Sequence, residues 1–169
     1  MERHKTKINS EKIVSVSAIV IAVASIVVTI WQGMEMRKHN RLSVKPRLEI
    51  SYEAARDYFG YVLTNKGLGP AVITYRKFFI DGQELNYQGF SGYEDFIEKL
   101  GMKGHKFSST SIYPGQTVLP NERVNIIRFY YNDDDKPETL IPQIYRRVRM
   151  EIGYQSMYQE DFVCRLPHK

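Results

Sequence analysis

The chain of 169 residues has one cysteine and one tryptophan, and it lacks the short motifs around which catalytic sites are usually built. With Cys164 alone, no intrachain disulfide can form and the fold must rest on its core. A lone thiol suits a reducing compartment better than an oxidising one. Its place in the alternating run Phe162, Cys164, Leu166 reads as a small buried hydrophobe. There is no phosphate-cradling Walker loop, no HExxH helix and no serine in a strained elbow. His4, His39, His105 and His168 have no mutual spacing that would build a metal site. No cofactor, metal or catalytic residue is expected.

Excess charge is missing from most of the chain as well. Residues 1–45 carry Arg3, Lys5, Lys7, Lys12, Arg37, Lys38, Arg41 and Lys45 against Glu2, Glu11 and Glu35, which accounts for the whole formal charge of +5. The rest is neutral. A duplex-binding domain needs a basic footprint of its own, so nucleic acid is not an expected partner.

What is present is one long apolar run, Ile13–Trp31, IVSVSAIVIAVASIVVTIW, without a single charge. As a helix it spans ~28 Å, close to the hydrocarbon thickness of a bilayer. Residues 1–12 form a basic tail before it. The basic start and Ala22-Val23-Ala24 also fit a cleavable signal peptide. The apolar run continues past that box to Trp31, an interfacial anchor, which favours a retained single-pass span over 13–31. Within it Ser15, Ala18, Ala22, Ser25 and Thr29 recur at alternating spacings of three and four. That small-residue seam suits close helix–helix approach in lipid, and predicts a homo-oligomer or a partner span.

Residues 32–45 read as a basic juxtamembrane helix and linker, placing Arg37, Lys38 and Arg41 against anionic headgroups. Bases flank the span nearly equally. The denser cluster at its C-terminal side and the free cysteine tip the orientation towards a cytoplasmic domain at a cell inner membrane, with the periplasm as the alternative.

From Arg47 the pattern turns to alternation, and residues 46–169 read as one domain. Leu48, Ile50 and Tyr52 line the inner side of a first strand. Further strands are expected over Tyr58–Asn65, Val72–Ile80, Gln83–Tyr87, Phe107–Tyr113, Gln116–Leu119, Arg123–Tyr131, Arg146–Gln155 and Glu160–Leu166. A short helix over Ser91–Leu100 is signalled by Ser91 with Glu94 as a capping box and by Tyr93, Phe96, Ile97 and Leu100 on one face. Asn132–Pro142 reads as a loop holding at most one helical turn. The fold class is mainly β, an antiparallel sandwich with a short inserted helix behind one transmembrane helix.

The order of the span, the basic stretch RKHNRLSVKPRL, then LTNKGLGPAVI, YPGQT and GYQSMYQEDF resembles a loose group of uncharacterised small bacterial single-pass membrane proteins. The resemblance implies an immunoglobulin-like sandwich and carries no catalytic residue.

Candidate chemistry is sparse. Asn132-Asp133-Asp134-Asp135 with Glu138 is the densest acidic cluster, but it lacks the ligand spacing of a calcium loop and reads as a solvated turn. Arg146, Arg147 and Arg149, with Arg128 as a possible neighbour, form a candidate basic strip for a ligand or partner. Lys103, His105 and Lys106 follow the short helix as a contact loop. The twelve tyrosines suit half-buried strand faces and recognition surfaces alike. These features favour a membrane-anchored interaction module that tethers another membrane or cytosolic protein and oligomerises through its span. The alternative is a sensor whose sandwich binds a small ligand.

Overall fold

The computed structural model describes residues 10–85 and 91–166. Its contacts divide the chain into two units, Met1–Leu42 and Ser43–Lys169. The first holds all but the last residue of helix α1, Ser10–Ser43, which is long and apolar enough to cross a membrane. The apolar run lies wholly inside it, and the helix continues through the basic segment, as expected. The tail residues 1–9 lie outside the described residues.

The second unit is built from two antiparallel sheets. Strands β1 (Leu48–Ala54), β2 (Tyr58–Asn65), β5 (Phe107–Ser109) and β7 (Arg123–Tyr130) form one, in the order β1-β2-β7-β5. Strands β3 (Ala71–Ile80), β4 (Gln83–Glu84), β8 (Val148–Gln155) and β9 (Asp161–Leu166) form the other, in the order β4-β3-β8-β9, with β6 (Thr117–Val118) also paired to β3. One core unites the inner faces. Ile50, Leu63, Ile126, Ile127 and Phe129 come from the first sheet; Ile73, Phe78, Val148, Met150 and Ile152 come from the second. Each fully buried aliphatic or aromatic side chain contributes about 1.5–3 kcal/mol of transfer free energy.

Helix α2, Ser91–Leu100, covers this core with Tyr93, Phe96, Ile97 and Leu100, all buried. Phe96 stacks on Phe129 and meets Phe78 edge-on, at 6.4 Å between centroids in both cases. Gly101 ends the helix, its N–H bonded to the Glu98 carbonyl. The expected Ser91 capping contact and the strand residues 86–87 lie outside the described residues.

Several boundaries are corrected. The stretch read as a loop over Asn132–Pro142 and the start of the next strand fold instead as helix α3, Pro137–Arg147. Pro137 suits the first turn, where an N–H has no intrahelical partner. Leu140, Ile141, Ile144 and Tyr145 then share a face directed at the core. Pro142 inside the helix removes one ladder bond, and this is what masks the helical period in the sequence. Arg146 and Arg147 therefore end a helix, and the strand begins at Val148.

Phe107–Tyr113 and Gln116–Leu119 are not long strands. Only Phe107–Ser109 and Thr117–Val118 are extended in ladders, and the chain changes sheets between them, Ile73 accepting the Gly115 N–H and donating to the Gln116 carbonyl. Tyr52, expected in the core, is 54% exposed and meets Tyr145 edge-on at 5.4 Å.

The stretch LTNKGLGPAVI holds the chain's approach to the domain. Asn65 has no solvent exposure. Its Oδ1 accepts the N–H groups of Arg47 and Gly67, and its Nδ2 donates to the carbonyls of Gly69 and Val118. Its own N–H and carbonyl pair with Glu122 and Asn121. Gly69 lies so close to Val44 that a Cβ would collide with the Val44 carbonyl oxygen. Only glycine fits there. Asn65→Ala would strand two backbone carbonyls and two N–H groups without their partner, at about 1–3 kcal/mol for each group left unsatisfied. Urea denaturation of the solubilised chain is expected to show a loss of about 3 kcal/mol or more.

Candidate functional site

The seam residues keep their register on α1, and none of them is buried in the single chain. Their hydroxyls are turned back on the helix: Ser15 Oγ donates to the Glu11 carbonyl, Ser25 to Ile21 and Thr29 to Ser25, at 2.7–2.9 Å. The donors are thus satisfied within the helix, and Ala18 and Ala22 are exposed between them. Arg37, Lys38 and Arg41 are exposed on the last turns of α1.

The candidate arginine strip is taken apart by the fold. Arg147 is bound in place: its Nε and Nη2 reach both carboxylate oxygens of Asp81 at 2.8–3.1 Å. Its guanidinium also donates to the carbonyls of Lys99 and Leu100, at the C-terminal end of α2. It is a clamp between the β3–β4 turn and α2. Arg146 is exposed on α3, and Arg149 alone stands on β8, beside Phe79, Met150, Glu151, Arg165 and Leu166 around a depression of about 430 Å³. Arg128 is on the other sheet, with its guanidinium over the Tyr58 ring at 4.1 Å.

The acidic turn has one structural member. Asp135 Oδ2 lies 2.9 Å from His105 Nε2 and accepts the Asn132 N–H, while His105 Nδ1 is 3.1 Å from the Met102 carbonyl. This pair joins the α2–β5 loop to the β7–α3 loop. Asp133 and Asp134 are exposed. No group of three His, Cys, Asp or Glu side chains placed to hold a metal occurs among the described residues. Cys164 is buried; burial pushes its thiol up to about 11, and the Ile50 N–H donates to its sulfur. It is a core residue, as its pattern suggests.

One surface was not visible in the sequence. The strand registers place the start of β1, the β2–β3 loop, the β6–β7 turn and the β8–β9 hairpin tip at one end of the domain, where the chain enters it. The Tyr113-Pro114-Gly115-Gln116 turn joins them by its bonds to Ile73. Leu68, Tyr113, Leu119, Met157 and Tyr158 are exposed on these loops. Among the described residues of the domain, the other exposed large apolar side chains are Tyr52 and Val163. The backbone beneath this proximal end is fixed by Asn65, and by the Ser156 hydroxyl, which accepts the N–H groups of Tyr158 and Glu160. Charge surrounds it: Lys66 pairs with Glu49 at 2.6 Å, Lys45 lies over the Phe162 ring, and Glu122 caps the Leu119 N–H. The nearest sequence signal was the pair of turn motifs around Leu68 and Met157.

The cavity between α2 and the sheets, lined by Phe78, Tyr93, Phe96, Ile126, Ile127 and Met150, has no room for a water molecule. No protein-family model matches the chain, and no curated protein matches it.

The Arg147 clamp gives a pH signature. The Arg147 guanidinium beside Asp81 holds its carboxyl below the usual range. A depressed folded pKa contributes stability above the unfolded value and loses it as the pH falls through the folded one. Asp81→Asn, which tolerates the positive φ of that turn residue, is expected to melt below the wild type at neutral pH. The gap should close as the pH falls below the ordinary carboxylate range, and thermal melts across that range check it.

Proposed function

We propose that this chain is a membrane-anchored, non-catalytic interaction module. Its β domain is an immunoglobulin-like sandwich that binds a partner protein at a cell inner membrane through its proximal loops, with the domain on the cytoplasmic side. The observation that carries this is the concentration of exposed Leu68, Tyr113, Leu119, Met157 and Tyr158 at one end. Contiguous exposed apolar patches rimmed by charge mark interaction sites, and Tyr and Met are enriched at protein interfaces.

Strand order supports the sandwich. The sheets β1-β2-β7-β5 and β4-β3-β8-β9 correspond to the A-B-E-D and C′-C-F-G orders of immunoglobulin-type domains. By that correspondence the β2–β3 and β8–β9 loops occupy the places of the B–C and F–G loops, which serve recognition in variable domains. The likeness is one of topology and raises the weight of a protein partner by analogy only. Anchoring in a membrane keeps such a module near membrane partners at high effective concentration, so a modest interface suffices. For the sensor alternative, the apolar cavity under α2 offers no ligand site, because it has no room for even a water molecule.

Two measurements test the proposal. A photo-crosslinking residue at Leu68, Leu119 or Met157 is expected to give protein adducts in living cells that the exposed outer-face positions Lys77 and Arg149 do not. Adducts at the control positions alone, or at none, would remove the proximal end as the binding surface. For the span, Ala18→Ile with Ala22→Ile blocks close approach and is expected to weaken self-association in lipid about tenfold, whereas Ile19→Ala with Ile26→Ala leaves it intact. Energy transfer between labelled chains in vesicles reads both.

A further inference from the structure

The outer face of the β1-β2-β7-β5 sheet holds a second built surface, independent of the proximal loops. At the centre of this sheet the β2–β7 register slips: Tyr61 pairs with Ile127 and Val62 with Asn125. Ile126 is the extra residue. Because of this bulge, Asn125 and Arg128, three residues apart, both line the outer face. Bulges that re-aim side chains in this way are over-represented beside functional sites. Opposite Arg128 stands Gly60, where a Cβ would collide with the Ile127 carbonyl oxygen and lie 2.9 Å from Arg128 Cα. No side chain fits at that position, so the face stays open next to the arginine.

The result is a depression of about 570 Å³ lined by Glu53, Ala54, Tyr58, Val62, Arg123, Asn125 and Arg128. Its two arginines differ. Arg123 is ion-paired with Glu53, which neutralises that carboxylate. Arg128 has no carboxylate partner among the described residues. It is instead laid over the Tyr58 ring, which Tyr130 meets edge-on at 6.3 Å. An arginine over an aromatic ring keeps its N–H donors, whose planar fork matches a carboxylate. Beside it, the Asn125 carboxamide makes one long contact to Ser108 Oγ at 3.4 Å, and its Oδ1 is buried without a partner. Exchanging the amide's oxygen and nitrogen leaves the other end unpartnered instead. Such an orphaned buried group calls for an explanation.

We propose that this depression is a carboxylate-binding site for an acidic peptide segment: Arg128 takes the carboxylate of a Glu or Asp side chain in a paired hydrogen bond, with Asn125 lining the floor beside it. The lining carries two guanidinium groups against one carboxylate, which suits an anionic ligand. Its lining spans the three neighbouring strands β1, β2 and β7 on a sheet face, which leaves room for a peptide segment.

The test uses the full chain in detergent micelles at low salt, with a fluorescent peptide bearing a Glu-Glu pair between glycines and its Gln-Gln counterpart, read by anisotropy. The acidic peptide is expected to bind saturably and the Gln form not to. Arg128→Gln should weaken binding about tenfold or more, as loss of a charge-assisted pair would. Arg128→Lys should weaken it too, because an ammonium is a point charge without the fork. Tyr58→Leu, which keeps the guanidinium but removes its ring, offers a second route to the same loss. Arg149→Gln on the other sheet should bind as the wild type, and glutarate should displace the peptide better than inorganic phosphate. No saturable binding to the wild type, equal binding of the Gln peptide, unchanged binding in Arg128→Gln, or displacement by phosphate as effective as by glutarate would each overturn the assignment.

Discussion

The buried carboxamide of Asn65 is the interaction on which most of this domain's proximal architecture depends. An amide placed in an apolar interior must satisfy both of its ends or it costs more than it contributes. Asn65 does so with two backbone N–H groups and two carbonyls drawn from the segment that leaves α1, from its own loop and from the end of β6. Three chain segments distant in sequence are thereby held at fixed spacing. The Tyr154 hydroxyl adds a bond across the sheets by accepting the Leu48 N–H.

This rigidity bears on the proposed function. Exposed leucines on a mobile loop would be an aggregation hazard. On a backbone held by a saturated buried amide they form a surface of defined shape, so the binding proposed for this end would carry little ordering cost. The opposite end is tied by other side chains: Arg147 joins Asp81 to the end of α2, and His105 is hydrogen-bonded to Asp135. Asn65 at one end and Arg147 at the other each collect more than one backbone group, while the hydrophobic core joins the sheets between them.

Much of this was legible along the chain. The strands over Leu48–Ala54, Tyr58–Asn65, Ala71–Ile80 and Arg123–Tyr130 follow from alternation, because one face of each is buried and a one-residue slip would expose its apolar set. The helix over Ser91–Leu100 follows from its four-residue apolar face. Helix α3 was hidden by Pro142, since a proline inside a periodic run reads as a break although one lost ladder bond is tolerable where Ile144 and its neighbours pack. Arg146, Arg147 and Arg149 looked like one strip because sequence adjacency was taken for a shared strand. A helix-to-strand junction at Val148 sends them to separate places.

The sequence by itself determined the apolar helix, the mainly β character of the domain after it, the burial of Cys164 and the confinement of excess positive charge to residues 1–45. Those properties depend on local period and composition, which neighbouring residues settle among themselves. Only the tertiary structure decided that five exposed apolar side chains from four separate loops share one end, that Arg147 is spent on a clamp, and that Asn125 and Arg128 face the same side of a bulged strand. Each of those depends on strand register and sheet order. Register is set by pairing between segments tens of residues apart, and no local pattern encodes which partner, or which offset, the packed core selects.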